Sequence, residues 1–222
     1  MQKFDTPAPV RAVLDISAGR IQVIAADRTD TLVEVRPADP ARSRDVETAE
    51  RTEVAYADGI LRISTPEATN RLVGRSGSVE VTVRLPVDSR VQAKAAAAEF
   101  RGVGRLGEVA LDGGHGSVKL DEAASARLTG LDTDITVGRL NGAAEISTQR
   151  GDVHIAEAVG GALTLTTQQG SITVAAAHGV CATLDAGVDA GRIDNSLKNT
   201  GGAPDLTIRA TTSQGDITAR SL

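Results

Sequence analysis

One short phrase recurs down this chain and leaves few folds open to it. A glycine, or a residue in its place, is followed by a polar residue and then by alternating aliphatic positions. The copies are GSVKL at Gly116, TDITV at Thr133, GDVHI at Gly151, GSITV at Gly170, GRIDN at Gly191 and GDITA at Gly215, spaced by 17, 18, 19, 21 and 24 residues. AEFRG at Ala98 reads as an earlier, degraded copy 18 residues before Gly116, and GSVEV at Gly77 and GRIQV at Gly19 carry the same local pattern. Within each unit, Val118 and Leu120, Val153 and Ile155, or Ile172 and Val174 sit two residues apart, which is the side-chain period of a strand. A second alternating pair precedes the next glycine: Ala144 and Ile146, Leu163 and Leu165, Leu206 and Ile208.

Two short strands in about 18 residues cannot bury their own apolar face, but units stacked at the strand spacing of roughly 4.8 Å bury a continuous one. The pattern therefore predicts an all-β chain, a β-solenoid or β-helix-like stack of two-strand coils of about 18–21 residues. Gly116, Gly151, Gly170, Gly191 and Gly215 are its structural repeat, each placed at a tight corner where a positive φ is open only to glycine. A meander or sandwich is the rival, since strands at 8–12-residue intervals suit those folds too; recurrence of the glycine phrase favours the stack. The aromatic content agrees with a thin core: 1 Tyr, 2 Phe and no Trp in 222 residues.

The first part of the chain differs. Residues 1–76 read as a β-rich region that caps the array, and 77–222 as the repeat array continuous with it, in a single overall domain. SRDVETAERTEV predicts a short helix at about 43–52, with Ser43 as its cap and Val46 and Ala49 on one face. Asp58-Gly59 between alternating strands predicts a hairpin at about 53–64. TPEATNRLVGRSG, beginning at Thr65, reads as a polar, mobile loop. VQAKAAAAEF, from Val91, continues the strand register of VEVTVRLP despite its alanines.

In ISAGRIQVIAADRTDTLVEVRP, in GSVEVTVRLPVDSRVQAKA and in the serial GSVKL, GDVHI, GSITV and GDITA phrases, the chain resembles a bacterial family of unknown function described as adhesins with β-strand repeats. The resemblance covers most of the chain. It implies a β-helix-like fold, an adhesin-like role and no catalytic motif.

Charge narrows the function. Lys and Arg number 24 against 29 Asp and Glu, a net −5 with no basic stretch, which disfavours nucleic acid and an electrostatic membrane anchor. The N-terminus MQKFDTPAPV has no signal-peptide pattern, and no apolar run reaches the roughly 20 residues that cross a bilayer, so a cytoplasmic protein without membrane insertion is expected. The single Cys181 has no partner for a disulfide and no nucleophile context. His115, His154 and His178 lack the spacing of a metal site and read as solvated surface.

The residue after each anchor forms an outward column: Ser117, Asp134, Asp152, Ser171, Arg192, Asp216. Asp134 and Asp152 on adjacent rungs are weak metal candidates, two carboxylates about 4.8 Å apart; a plain polar face is the preferred reading, with no metal. LDGGHGSVKL lacks the Asp spacing of a calcium-binding nonapeptide, and no phosphate-cradling glycine motif is present. The column Lys119, Thr136, His154, Thr173, Asp194, Thr218 is too charged to form a threonine ladder that binds ice.

These readings give a protein without cofactor or catalysis, a binding or scaffold module for a protein or glycan partner. The second expectation is a self-assembling structural protein, a homo-oligomer formed through the C-terminal end, because SQGDITARSL stops directly after a repeat phrase. A carbohydrate-active enzyme ranks below both.

Overall fold

A computed structural model describes residues 1–66, 77–199 and 201–222. The chain is all-β and solenoid-like, with one short helix among the described residues, and it divides into two compact units, Met1–Gly116 and Ser117–Leu222.

In the first unit, β1 (Gln2–Asp5) pairs antiparallel with β3 (Asp30–Pro37), and β2 (Arg11–Ala26) lies between them in sequence. Helix α1 (Ser43–Glu50) follows. Next come the antiparallel hairpin of β4 (Glu53–Ala57) and β5 (Ile60–Ser64), turning at Asp58-Gly59, and then β6 (Val79–Pro86). The long β7 (Arg90–Leu140) starts in this unit. β2 is the centre of the unit: its first half runs parallel to β5, its second half parallel to β6, and both halves run parallel to residues 90–103 of β7. The stretch from Val91 is thus strand, and its alanines give way to the register of the sheet.

Ser43 does not cap the helix. Arg42 holds the cap position without a side-chain hydrogen bond. The helix is held instead by Asp45, only 5% exposed, whose carboxylate accepts the backbone N–H of Ser78 at 2.9 Å and of Asp39 at 3.2 Å. Most of the segment read as a mobile loop, residues 67–76, lies outside the described residues.

The second unit is a stack of coils. After the last part of β7 come β8 (Ala144–Arg150), β9 (Val153–Ala158), β10 (Gly161–Gln169), β11 (Ile172–Ala176), β12 (Ala182–Ala190), β13 (Ile193–Ser196), β14 (Leu206–Gln214) and β15 (Ile217–Ser221). All pairings are parallel. One sheet runs β7–β8–β10–β14–β12 and the other β7–β9–β11–β15–β13. Like residues stack on like: Ile135, Val153, Ile172, Ile217 and Ile193 form one inward column, and Leu128, Ile146, Leu165, Ala210 and Ala186 another.

The coils do not stack in chain order. The last coil, β14–β15, lies between β10–β11 and β12–β13. The expectation that the C-terminus presents a free strand edge is therefore corrected: β14 and β15 are paired on both sides, and the edge belongs to β12 and β13. The physical reason lies in composition. Leu206, Ile208, Ala210, Ile217 and Ala219 are all buried and gain cover from two neighbours, whereas β13 reads Ile-Asp-Asn-Ser and is exposed throughout. Skipping one rung costs the chain only about 10 Å of travel, which the link at 177–181 spans, and the link at 197–205 brings it back.

Candidate functional site

The outward column after the anchor residues is the first place to look for chemistry, and its geometry is that of a backbone clamp. Asp134 Oδ1 accepts the N–H of Asp152 at 3.0 Å, and Asp152 Oδ1 accepts the N–H of Ser171 at 2.7 Å. Ser171 Oγ accepts the N–H of Asp216 at 3.3 Å, and Asp216 Oδ1 accepts the N–H of Arg192 at 2.9 Å. Each side chain ties its rung to the next in spatial order. The two carboxylates named as metal candidates each spend an oxygen on the neighbouring backbone, and no group of three or more His, Cys, Asp or Glu able to hold a metal occurs among the described residues.

Beside this column the anchor glycines stack almost backbone on backbone. Gly151, Gly170, Gly215 and Gly191 have φ of 128°, 151°, 143° and 154°. A Cβ added at each would run into the carbonyl oxygen of the anchor on the adjacent rung: Thr133, Gly151, Gly170 and Gly215 respectively. Gly116 stands in the same relation to Ala98.

Inside the corner runs a column that sequence reasoning missed. Thr148, Thr167 and Thr212 are at most 2% exposed. Thr167 Oγ1 donates to the carbonyl of Gly151 at 3.1 Å, Thr212 Oγ1 to that of Gly170 at 2.9 Å, and Thr148 Oγ1 to that of Arg150 at 2.8 Å. The signal was the Thr three residues before Gly151, Gly170 and Gly215. At the edge rung Val188 takes that place.

The remaining candidates stay apart. His115, His154 and His178 are exposed, and His154 sits between Thr136 and Thr173 in its row. Cys181 is half-buried, with its thiol donating to Asn199 Oδ1 at 3.1 Å.

Among the described residues, one concavity is a notch of about 140 Å³ on the first unit, lined by Arg11, Arg90, Val91, Gln92, Glu108 and Ala110. The parallel register sets Arg11 beside Arg90 on the outer face of β2 and β7. Like charges directly opposite each other are ordinarily unfavourable. Arg11 Nη2 donates to Gln92 Oε1 at 2.8 Å, and neither arginine makes an ion pair with a described residue. Ala110 is small, which leaves room between the longer side chains. Arg11 and Arg90 are 79 residues apart in the sequence, so nothing local announces the pair.

Stacked coils, glycine corners and a side-chain clamp at each rung define a β-strand-repeat protein of solenoid-like build. The chain belongs to the Toastrack DUF4097 family, whose model matches residues 13–221. Among solved structures it is similar along its whole length to a protein from Bacteroides fragilis described as a "putative adhesin", at 15% identity and TM-score 0.58, with 95% of that chain covered. It is also similar to a "putative cell adhesion protein" from Clostridium sporogenes, at 11% identity and TM-score 0.46, with 100% of this chain and 98% of that one covered. The first of these likenesses supports the fold and nothing finer. No curated protein matches the chain. No described helix is long and apolar enough to cross a membrane.

Proposed function

We propose that this chain is a non-catalytic, adhesin-like binding module that takes a carboxylate-bearing glycan at the Arg11–Arg90 notch. The single observation that carries the reading is the pair of arginines, register partners that line one notch, with no described carboxylate in ion-pair contact with either. Two forked donors at an open notch suit a planar carboxylate, which each can bind through two parallel hydrogen bonds. Gln92 Oε1 accepts from Arg11 Nη2 and so holds that fork in place. The description of the Bacteroides fragilis protein as an adhesin favours a surface polymer over a small metabolite.

Glycoside hydrolysis calls for two carboxylates across the scissile bond, and the notch offers only Glu108. That supports binding over cleavage.

The test is binding of the full chain to immobilised polygalacturonate, with dextran as the neutral control, at low and physiological salt. Binding to the acidic polymer alone, weakened at least about tenfold by Arg90→Ala and by Arg11→Ala, is the expected result, in the range of a lost charge-assisted contact. Equal binding to both polymers, no binding to either, or unaltered binding by both variants overturns the reading. Capture of an acidic protein in place of the polymer would do the same.

A further inference from the structure

The ladder of the second unit ends at β12, and it ends open. Among the described residues β12 pairs only with β14, and β13 only with β15. Core columns run straight to this end and lose their cover there. Ile217 is 1% exposed, and Ile193, next in the same column, is 45% exposed. Leu184, Ala186 and Val188 continue the columns of Ile208, Ala210 and Thr212, yet they are only half-buried. Edges built to repel other strands carry charge at inward positions, proline or a bulge; Leu184, Ala186 and Val188 are apolar, and β12 contains no proline.

The backbone direction is fixed by the pairing with β14. At the start of β12 the carbonyl of Cys181 accepts the N–H of Leu206 at 3.1 Å, and the register runs unbroken from Ala182 on Leu206 to Val188 on Thr212. Residues of a strand direct their N–H and C=O groups alternately to either side. Thr183, Asp185 and Gly187 therefore direct theirs to β14, and Leu184 and Ala186 direct theirs to the open edge.

We infer that this edge is a self-association surface, and that two copies of the chain pair antiparallel through β12 about a two-fold axis at Ala186. The register follows from charge. Centring on Gly187 would set Asp185 against Asp189 of the second copy, which is unfavourable. Centring on Ala186 sets Asp185 against Gly187, which has no side chain, and Asp189 against Thr183. On the inward face it joins Leu184 to Val188 and Ala186 to Ala186. Both sequences of pairs are self-complementary, as a two-fold interface requires. The same docking brings cover to the end of the unit where Ile193 stands open. This inference is independent of glycan binding, since the arginine notch lies on the first unit.

Light scattering coupled to gel filtration, across a concentration series of the full chain, tests it. The expected mass is twice the 22.8 kDa of one chain at the upper concentrations. Ala186→Pro removes an edge-directed N–H and none that bonds β14, and Val188→Lys places charge at the interface; each is expected to give monomer with an unchanged circular dichroism melt. Ala186→Cys, on a Cys181→Ser background, is expected to form a disulfide-linked dimer on mild oxidation, because the two-fold sets the two side chains directly opposite with Cα atoms about 5.5 Å apart, within the span of a disulfide. A chain that stays monomeric throughout overturns the inference. So does a dimer that survives Ala186→Pro and fails to crosslink through Ala186→Cys.

Discussion

Asp152 holds the rung above it and is held by the rung below: its Oδ1 accepts the N–H of Ser171 at 2.7 Å, and its own N–H is bound by Asp134 at 3.0 Å. The corner N–H groups stay paired where the strands turn, and no buried side-chain nitrogen or oxygen among the described residues lacks a partner. Asp152→Ala is expected to destabilise the chain by about 1–2 kcal/mol, the cost of an unpaired corner N–H. Asp152→Asn keeps an acceptor and should retain most of the stability. Urea unfolding of both variants checks this. If the Asp134–Asp152 pair serves the backbone rather than a cation, calcium leaves the melting temperature unmoved, whereas a site specific to the folded chain would raise it with concentration.

Gly170 separates two reasons for glycine. It has φ 151°, and an added Cβ would strike the carbonyl of Gly151. Gly179 also has positive φ, 79°, but nothing lies within 4 Å of its would-be Cβ. Gly170→Ala is expected to cost at least about 3 kcal/mol, since strain and steric overlap add. Gly179→Ala should cost about 1 kcal/mol, from backbone strain alone. Equal costs in chemical denaturation would mean that close stacking of the corners contributes nothing.

Thr167 is the buried member of the same corner, its hydroxyl donating to the carbonyl of Gly151 at 3.1 Å. Thr167→Val keeps shape and removes the donor, with an expected loss of about 1 kcal/mol. The reverse change, Val188→Thr at the edge rung, should be nearly neutral, because the open end leaves that position half-buried. Paired denaturation curves distinguish the two.

The local phrase was legible in the sequence because each rung writes its own corner: glycine for close approach, then Asp or Ser for the clamp, then two aliphatics for the core. The order of the rungs was not. GRIDN at Gly191 and GDITA at Gly215 look alike as phrases, and only the placing of both in one stack shows that the more apolar coil sits inside. The same limit hid the notch. Arg11 and Arg90 each look like an ordinary surface residue, and it takes the register of β2 against β7 to put them side by side. Asp45 was overlooked for a related reason: nothing within SRDVETAERTEV singles it out, and the N–H that its carboxylate accepts comes from Ser78, far along the chain.

Asp30 links the outer strand of the first unit to pH. Arg28 donates to its Oδ1 from Nε at 2.8 Å and from Nη2 at 2.6 Å, and Lys3 of β1 reaches its Oδ2 at 3.1 Å. These hydrogen bonds, Arg28 first and Lys3 second, hold the Asp30 carboxyl below its usual pKa. A carboxyl with a lowered folded pKa binds its proton more readily in the unfolded chain, so its stabilising effect is complete above the unfolded value of about 3.9 and disappears as pH falls through the folded one. Asp30→Asn removes that dependence. The variant is expected to be less stable than the wild type at neutral pH, with the gap narrowing as the solution is acidified below about pH 4. Urea midpoints of the two proteins over a pH series measure the gap, and a difference that stays constant down to the acid limb would show that Asp30 does not anchor β1 through its charge.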